Sequence, residues 1–277
     1  MKAARLRRDV VTVRGADAGE HLQSQLTQDV MALGVGDSAW SFLLDPKASI
    51  IALLRITRAD DATYLLDTEE GWGAAMRSAI DGFLFRMDVS FDSATWDHVA
   101  VRGPGSGTVS VGAPIEARVQ WGDVAGVDLV GPDLPDIPGA TPASAESYDS
   151  LRIWAGWPAM GKEIVEKTTP AMTGLVGQTV SFTKGCYPGQ EFVARVHYRE
   201  ASPPRRIVHV RFHPCAEVLA GSELVLDGEP VGTITSVADC QPFALASLKR
   251  GVATPVDVSV VGCPATADEL PTVVARN

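Results

Sequence analysis

The chain has 277 residues, 45% hydrophobic and 21% charged, with a formal net charge of −10. That length and balance fit a globular protein of one to three domains with a sizeable core. No apolar run approaches the ~18 residues of a membrane span, residues 1–8 lack the apolar core of a secretory signal, and the acidic surplus argues against non-specific nucleic-acid binding. A cytoplasmic protein with no nucleic-acid and no membrane partner is expected.

Residues 9–14 alternate like a strand and end at Gly15. From 18 to 30, Leu22, Leu26 and Val30 recur at i, i+4 and predict an amphipathic helix on which Gln25 and Asp29 share a face. Residues 38–44 and 49–57 read as a hairpin around Asp45-Pro46-Lys47, and 63–67 as a further strand. A helix is expected over 69–83, with strands at 86–91 and 97–102. Residues 103–142, dense in Gly, Pro and Val, read as short strands at best. Ser144 is placed to cap a helix running to about Trp154. The breakers at 156, 158, 161, 170, 174 and 177 predict a long ordered connection over 155–183. After Pro203-Pro204 the pattern becomes β throughout, with a hairpin at Asp227-Gly228, as in a small antiparallel barrel. The order of elements predicts an α+β fold. Three parts are expected: 1–103 and 104–203, both α+β, and a barrel over 204–277.

Chemistry concentrates in Lys184-Gly185-Cys186-Tyr187-Pro188-Gly189-Gln190-Glu191, followed by Phe192-Val193-Ala194-Arg195. A reactive cysteine needs thiolate, which a nearby cation or a helix N-terminus favours. Lys184 precedes Cys186 by two residues, and Pro188 suits the first turn of a helix over 190–197. Gly185 and Gly189 suit positive φ or close approach. An inert cysteine in a glycine-rich turn is the alternative. Residues 184–211 carry six Lys/Arg against two acids, a basic stretch in an acidic chain that suits a small anion or is simply solvated. Cys215, Cys240 and Cys263 stand apart and form no CxxC pair, so no metal site is expected and they read as core or surface thiols. No nucleophile elbow or dinucleotide fingerprint occurs; Gly103-Pro104-Gly105-Ser106-Gly107 lacks the required spacing.

The string at 184–191 resembles the signature of the YgfZ family, the folate-binding relatives of the glycine-cleavage T-protein. The segments 21–30, 151–156 and 231–236 resemble that family's first helix, the stretch before its long connection and its barrel hairpin, so the resemblance spans nearly the whole chain. It implies a three-lobed ring with a tetrahydrofolate pocket, and a role in assembly or repair of iron–sulfur proteins, with iron–sulfur client or assembly proteins as partners. Cys186 matches the position tied to activity; Lys184, Gln190, Glu191 and Arg195 match the other motif positions. The sequence departs from the T-protein in two places. Residues 44–50 contain no Asp-Asp pair, so Asp45 is not assumed to be catalytic. Trp154 stands where a glutamate contacts the pterin, and an indole would stack on that ring instead.

The expected site therefore comprises Cys186 and Lys184 for the chemistry, with Arg195, Gln190, Glu191, Tyr187, Trp154 and Arg152 for tetrahydrofolate. Arg152, Arg195, Arg205 and Arg206 would suit the glutamate tail of a folate. Tyr187 would stack or pack, while His197 and Trp157 read as structural. A folate-dependent aminomethyl or one-carbon transferase, lacking the T-protein aspartate, and a non-catalytic ligand-binding scaffold are the alternative readings.

Overall fold

The computed structural model describes residues 1–82, 84, 86–198, 202–213 and 217–271. Its body is a sheet of strands β1 (Lys2–Arg14), β2 (Ser38–Leu44), β3 (Ile50–Arg58), β4 (Thr63–Glu69), β5 (Ser90–Arg102), β6 (Ile115–Trp121), β7 (Val124–Gly131) and β8 (Thr141–Ala143). The order is β2-β3-β4-β1-β5-β7-β6, with β8 added in parallel to β1. Helices α1 (Ala18–Gln25) and α2 (Gly73–Ile80) cover one face. There Leu22, Leu26, Met76 and Ile80 pack on Leu54, Ile56 and Leu66. Side chains alternate along a strand, so Leu53 and Arg55 of β3 point to the other face, and Leu53 joins a cluster with Phe42, Trp121, Trp157 and Tyr187.

Both of these helices are shorter than their hydrophobic pattern suggests. Helix α1 stops at Gln25 because Leu26 is extended (φ −96°, ψ 155°) and Thr27 bonds to β2 through its amide and hydroxyl. Asp29 is therefore off the helix, where it accepts from Gln23 Nε2, and shares no helical face with Gln25. Helix α2 starts at 73, after Gly71 takes φ +93° and Asp9 Oδ2 accepts from the Gly71 and Gly73 amides. A carboxylate there satisfies free N–H groups at the positive end of the helix. The helical end expected at Phe83 lies outside the described residues.

The strands expected at 86–91 and 97–102 give way to one strand over 90–102, and residues 86–89 are not strand. All thirteen residues of β5 pair with β1, from Lys2↔Arg102 to Arg14↔Ser90. The polar run Asp92-Ser93 hides this because backbone pairing continues where side-chain alternation fails. The basic N-terminus is likewise strand from Lys2 onward. The region 103–142 holds two full strands, β6 and β7, paired across a Gly122-Asp123 turn. Pro114 and Pro132 flank this hairpin, while Gly122 lies in its turn and Gly126 pairs within β7.

Helix α3 (Ala145–Trp154) is capped as expected, Ser144 Oγ accepting from the Ser147 amide. The connection 155–183 carries only the one-turn helices α4 (Pro170–Thr173) and α5 (Val176–Thr179), and α6 (Gln190–Tyr198) follows the motif. The chain ends in a closed barrel of β9 (Arg205–Phe212), β10 (Glu223–Leu226), β11 (Glu229–Val237), β12 (Phe243–Lys249), β13 (Val256–Val260) and β14 (Cys263–Asp268). Asp227 and Gly228 both have positive φ, as a two-residue hairpin turn requires.

Candidate functional site

The motif forms a loop held at both ends. Lys184 is buried, and its ammonium donates to the backbone carbonyls of Gln23 and Leu26 at the C-terminus of α1. Unpaired carbonyls and the negative dipole end make that position favourable for a cation. Burial lowers the Lys184 ammonium to about 8, although Asp29 and Cys186 favour its charged form. At the other end Gly189 has φ +80°, and a Cβ there would stand 2.9 Å from both Ala48 Cα and Asp45 O. Gly189 thus seats the motif on the loop joining β2 to β3. Asp45 turns that loop, its Oδ1 accepting from the amides of Lys47 and Ser49 at 2.8 Å each. Between these anchors Cys186 is exposed. Of the two glycines expected to take positive φ or to let a ligand near the backbone, Gly189 takes positive φ, and Gly185 has open space around it.

Two cavities share the wall residue Trp121. The first, of about 450 Å³, is lined by Trp40, Trp121, Trp157 and Tyr148, with Arg8, Glu69 and Arg152 among its polar groups. Trp121 stacks on Trp157 at 5.3 Å between centroids, and Trp40 lies 5.0 Å from Trp157. Behind this wall runs a buried ion network. Arg8 and Arg55 bond Asp67, Arg55 Nη1 reaches Asp128 Oδ2 at 3.0 Å, and Arg102 Nη2 reaches Asp128 Oδ1 at 2.8 Å. Burial opposes charge on Asp128, yet Arg102, His98 and Arg55 hold it well below the usual carboxylate range. Burial instead raises Glu69, whose Oε1 accepts from the Met160 amide at 3.3 Å.

The second cavity, of about 310 Å³, lies where α3, the β6–β7 turn and the barrel meet, with Trp121, Trp154, His209, Arg211 and Asp268 in its wall. Trp154 is 52% exposed and meets Phe243 and His209 edge-on. Burial and Arg211 lower His209, which keeps its ring neutral near pH 7. Trp121 Nε1 and His209 Nε2 are buried and without a hydrogen-bond partner among the described residues. Orphaned polar atoms of this kind are uncommon in folded proteins.

The expected residues do not converge on one point. Trp154 faces the second cavity. Arg152 borders the first, but its donors are all spent on protein: Nε on Asp149, Nη1 on Trp157 O and Glu163, and Nη2 on Ser236 Oγ of the barrel. Tyr187 is buried in the aromatic cluster, its hydroxyl pushed up to about 12 by burial. Arg195 pairs with Glu191 at 2.6 Å on the exposed face of α6, and Gln190 opens that helix. Arg206 pairs with Glu269, and Arg205 is exposed. None of Cys186, Tyr187, Gln190, Glu191 and Arg195 lines either cavity. Trp40, Trp121, Glu69 and His209 went unread in the sequence. The signal available was six tryptophans in one chain, four of which wall these cavities. Cys240 is exposed, while Cys215 lies outside the described residues.

This architecture recurs in known proteins. No family model matches the chain. Aminomethyltransferases of Streptomyces avermitilis and Streptomyces coelicolor are 26% and 25% identical over 287 residues, covering 88% of this chain and 77% of each relative. An uncharacterized protein of Haemophilus influenzae is 28% identical over 236 residues, 83% of this chain and 81% of its own. The crystal structure of the glycine cleavage system aminomethyltransferase T from Bartonella henselae covers 98% of this chain and 86% of its own, with a TM-score of 0.81 at 19% identity. The chain is similar in sequence to these aminomethyltransferases over most of its length. It has the T-protein fold expected from the sequence, closed C-terminal barrel included. Among the described residues, no helix is long and apolar enough to cross a membrane.

Proposed function

We propose that this is a tetrahydrofolate-binding cytoplasmic protein of the YgfZ type, which supports iron–sulfur protein assembly or repair through the thiol of Cys186. The observation that carries the reading is the exposure of Cys186 on a loop fixed by Lys184 to α1 and by Gly189 to the 45–49 turn. A loop pinned at both ends holds its middle residue in one place and leaves the sulfur open to a partner. The walls suit a folate. Trp154 offers a half-exposed aromatic face, and the buried Trp121 indole N–H needs an acceptor. Glu69 is a carboxylate in the adjoining aromatic cavity, able to accept a hydrogen bond from a polar group of the ligand outside the pterin. In this reading Trp154, Trp121 and His209 hold the pterin and Glu69 and Arg8 meet polar groups in the adjoining cavity. A bound tetrahydrofolate supplies a one-carbon carrier. Cys186→Ala is expected to abolish complementation of iron–sulfur enzymes in cells while calorimetric binding of tetrahydrofolate persists. Complementation that survives the substitution removes the thiol role, and absence of binding at millimolar tetrahydrofolate removes the folate.

Aminomethyl transfer is the second reading, favoured by the match to the named Streptomyces enzymes over 88% of the chain. Against it stands Asp45, whose carboxylate is engaged in the turn. A turnover assay with tetrahydrofolate and an aminomethyl donor decides between them, and no product is expected.

A further inference from the structure

A third cavity, about 500 Å³, runs beside the motif between α6 and the α4–α5 segment. Pro170, Met172, Val176, Phe192, Val193 and Val196 form its apolar lining. It is not sealed: Phe192 is 46% exposed, and Tyr198 at the end of the same helix is 70% exposed. Phe192 thus carries apolar surface from the groove to the outside, the form of a docking surface rather than of a closed small-molecule pocket.

Charge narrows the occupant. The chain has 34 acidic residues against 24 basic ones, yet among the described residues no Asp or Glu lines this groove. Both cavities around Trp121, by contrast, have carboxylates in their walls. The charged residue in the groove is Lys47, which is exposed and makes no salt bridge among the described residues. His197 lines the same wall, and the exposed Arg205 follows the lining residues Pro203 and Pro204. A basic rim attracts an acidic surface.

Position ties the groove to the thiol. Lys47 and Ala48, at one end of it, belong to the turn against which Gly189 is seated. Cys186 is three residues from Gly189, so their Cα atoms are at most ~11 Å apart. We propose that the groove docks an apolar segment flanked by acidic residues on a partner protein and thereby presents that protein to Cys186. This rests on the thiol role proposed above and names the partner surface it serves.

The test places p-benzoyl-phenylalanine at Phe192 in the full-length protein in cells, followed by irradiation and sequencing of the crosslinked peptide. The expected adduct is a peptide of another protein with apolar residues beside Asp or Glu. Its yield should fall at least tenfold when Val196→Glu or Lys47→Glu is added, and the same probe at Leu219, exposed on the barrel side, should not give it. The inference is overturned by no adduct, by a yield indifferent to both substitutions, or by a crosslink to a basic segment. A crosslink to a second copy or to residues 272–277 of this chain also overturns it. The two proposals fail separately. If Cys186→Ala abolishes complementation and no adduct forms, the thiol stands and the groove falls; if the adduct forms while Cys186→Ala complements, the reverse holds.

Discussion

Lys184 Nζ lies 2.5 Å from the carbonyl oxygen of Leu26, across 158 residues of sequence. Lys184, expected to prime the neighbouring thiol, holds the motif loop onto the end of α1. Its two hydrogen bonds satisfy carbonyls that the helix itself leaves free. Asp29 and Cys186 favour the charged form of Lys184 against the cost of its burial.

The buried amine makes stability depend on pH in a definite direction. Its folded value of about 8 is below the ordinary 10.5. Between those values the unfolded chain binds more protons than the folded one, so this group's contribution to stability rises with pH; below pH 8 its burial cost is complete. Urea unfolding of the wild type and of Lys184→Met at pH 7.5 and pH 10 isolates the effect. The wild type should gain on the variant by up to about 3 kcal/mol over that interval. A gap independent of pH is incompatible with a buried amine.

Gly189→Ala should damage the site through backbone alone. The position has φ +80°, and the added methyl would meet Ala48 Cα and Asp45 O at 2.9 Å, neither of which is the end of a flexible side chain. A loss of about 1–3 kcal/mol is expected from the strained backbone, with further loss from the clash. Gly185→Ala, with nothing within 4 Å of the new methyl, is the control and should change the midpoint little.

Native-state alkylation should distinguish Cys186 from Cys240, both exposed. Cys240 Sγ lies 3.4 Å from Asp239 Oδ1, and that hydrogen bond raises the Cys240 thiol, leaving less thiolate than an ordinary cysteine has near pH 7.5. Cys186 should therefore label before Cys240 with iodoacetamide, as followed by mass spectrometry. Cys186→Ala should remove the faster phase and leave stability within about 0.5 kcal/mol, as expected of an exposed side chain. Equal labelling rates would remove the distinction.

The motif, its helix and the barrel were legible because their signals are local. Asp227-Gly228 turns a hairpin and Ser144 caps α3 within three residues, whereas Gly189, with φ +80°, separates Pro188 from the helix that starts at Gln190. What was hidden depends on partners distant in the chain. The full length of β5 is set by pairing with β1, about 90 residues earlier, which overrides the polar run Asp92-Ser93. Trp40, Trp121 and Trp157 meet only after β2, β6 and the long connection have packed together. A lone tryptophan in a sequence does not disclose such a neighbour. The direction of Lys184 was hidden for the same reason: nothing near it in sequence shows where α1 ends.

Arg152 and Trp154, two residues apart on α3, should separate structure from ligand binding. The Arg152 guanidinium is buried and ties together Asp149, Glu163 and Ser236, so it joins α3 to the connection and to the barrel. Removing one partner from such a network strands a buried charge and typically costs about 3–5 kcal/mol. Arg152→Ala should lower the melting temperature steeply, and Arg152→Lys should recover only part of it, because an ammonium cannot reproduce the guanidinium fork. Trp154 is half exposed beside the cavity with the orphaned Trp121 and His209 ring nitrogens. Trp154→Ala should shift stability far less, while tetrahydrofolate affinity, measured by calorimetry, should drop by about tenfold, the equivalent of ~1.4 kcal/mol of lost stacking. If Arg152→Lys weakens binding at unchanged melting temperature while Trp154→Ala leaves binding intact, the roles assigned to these two residues are reversed.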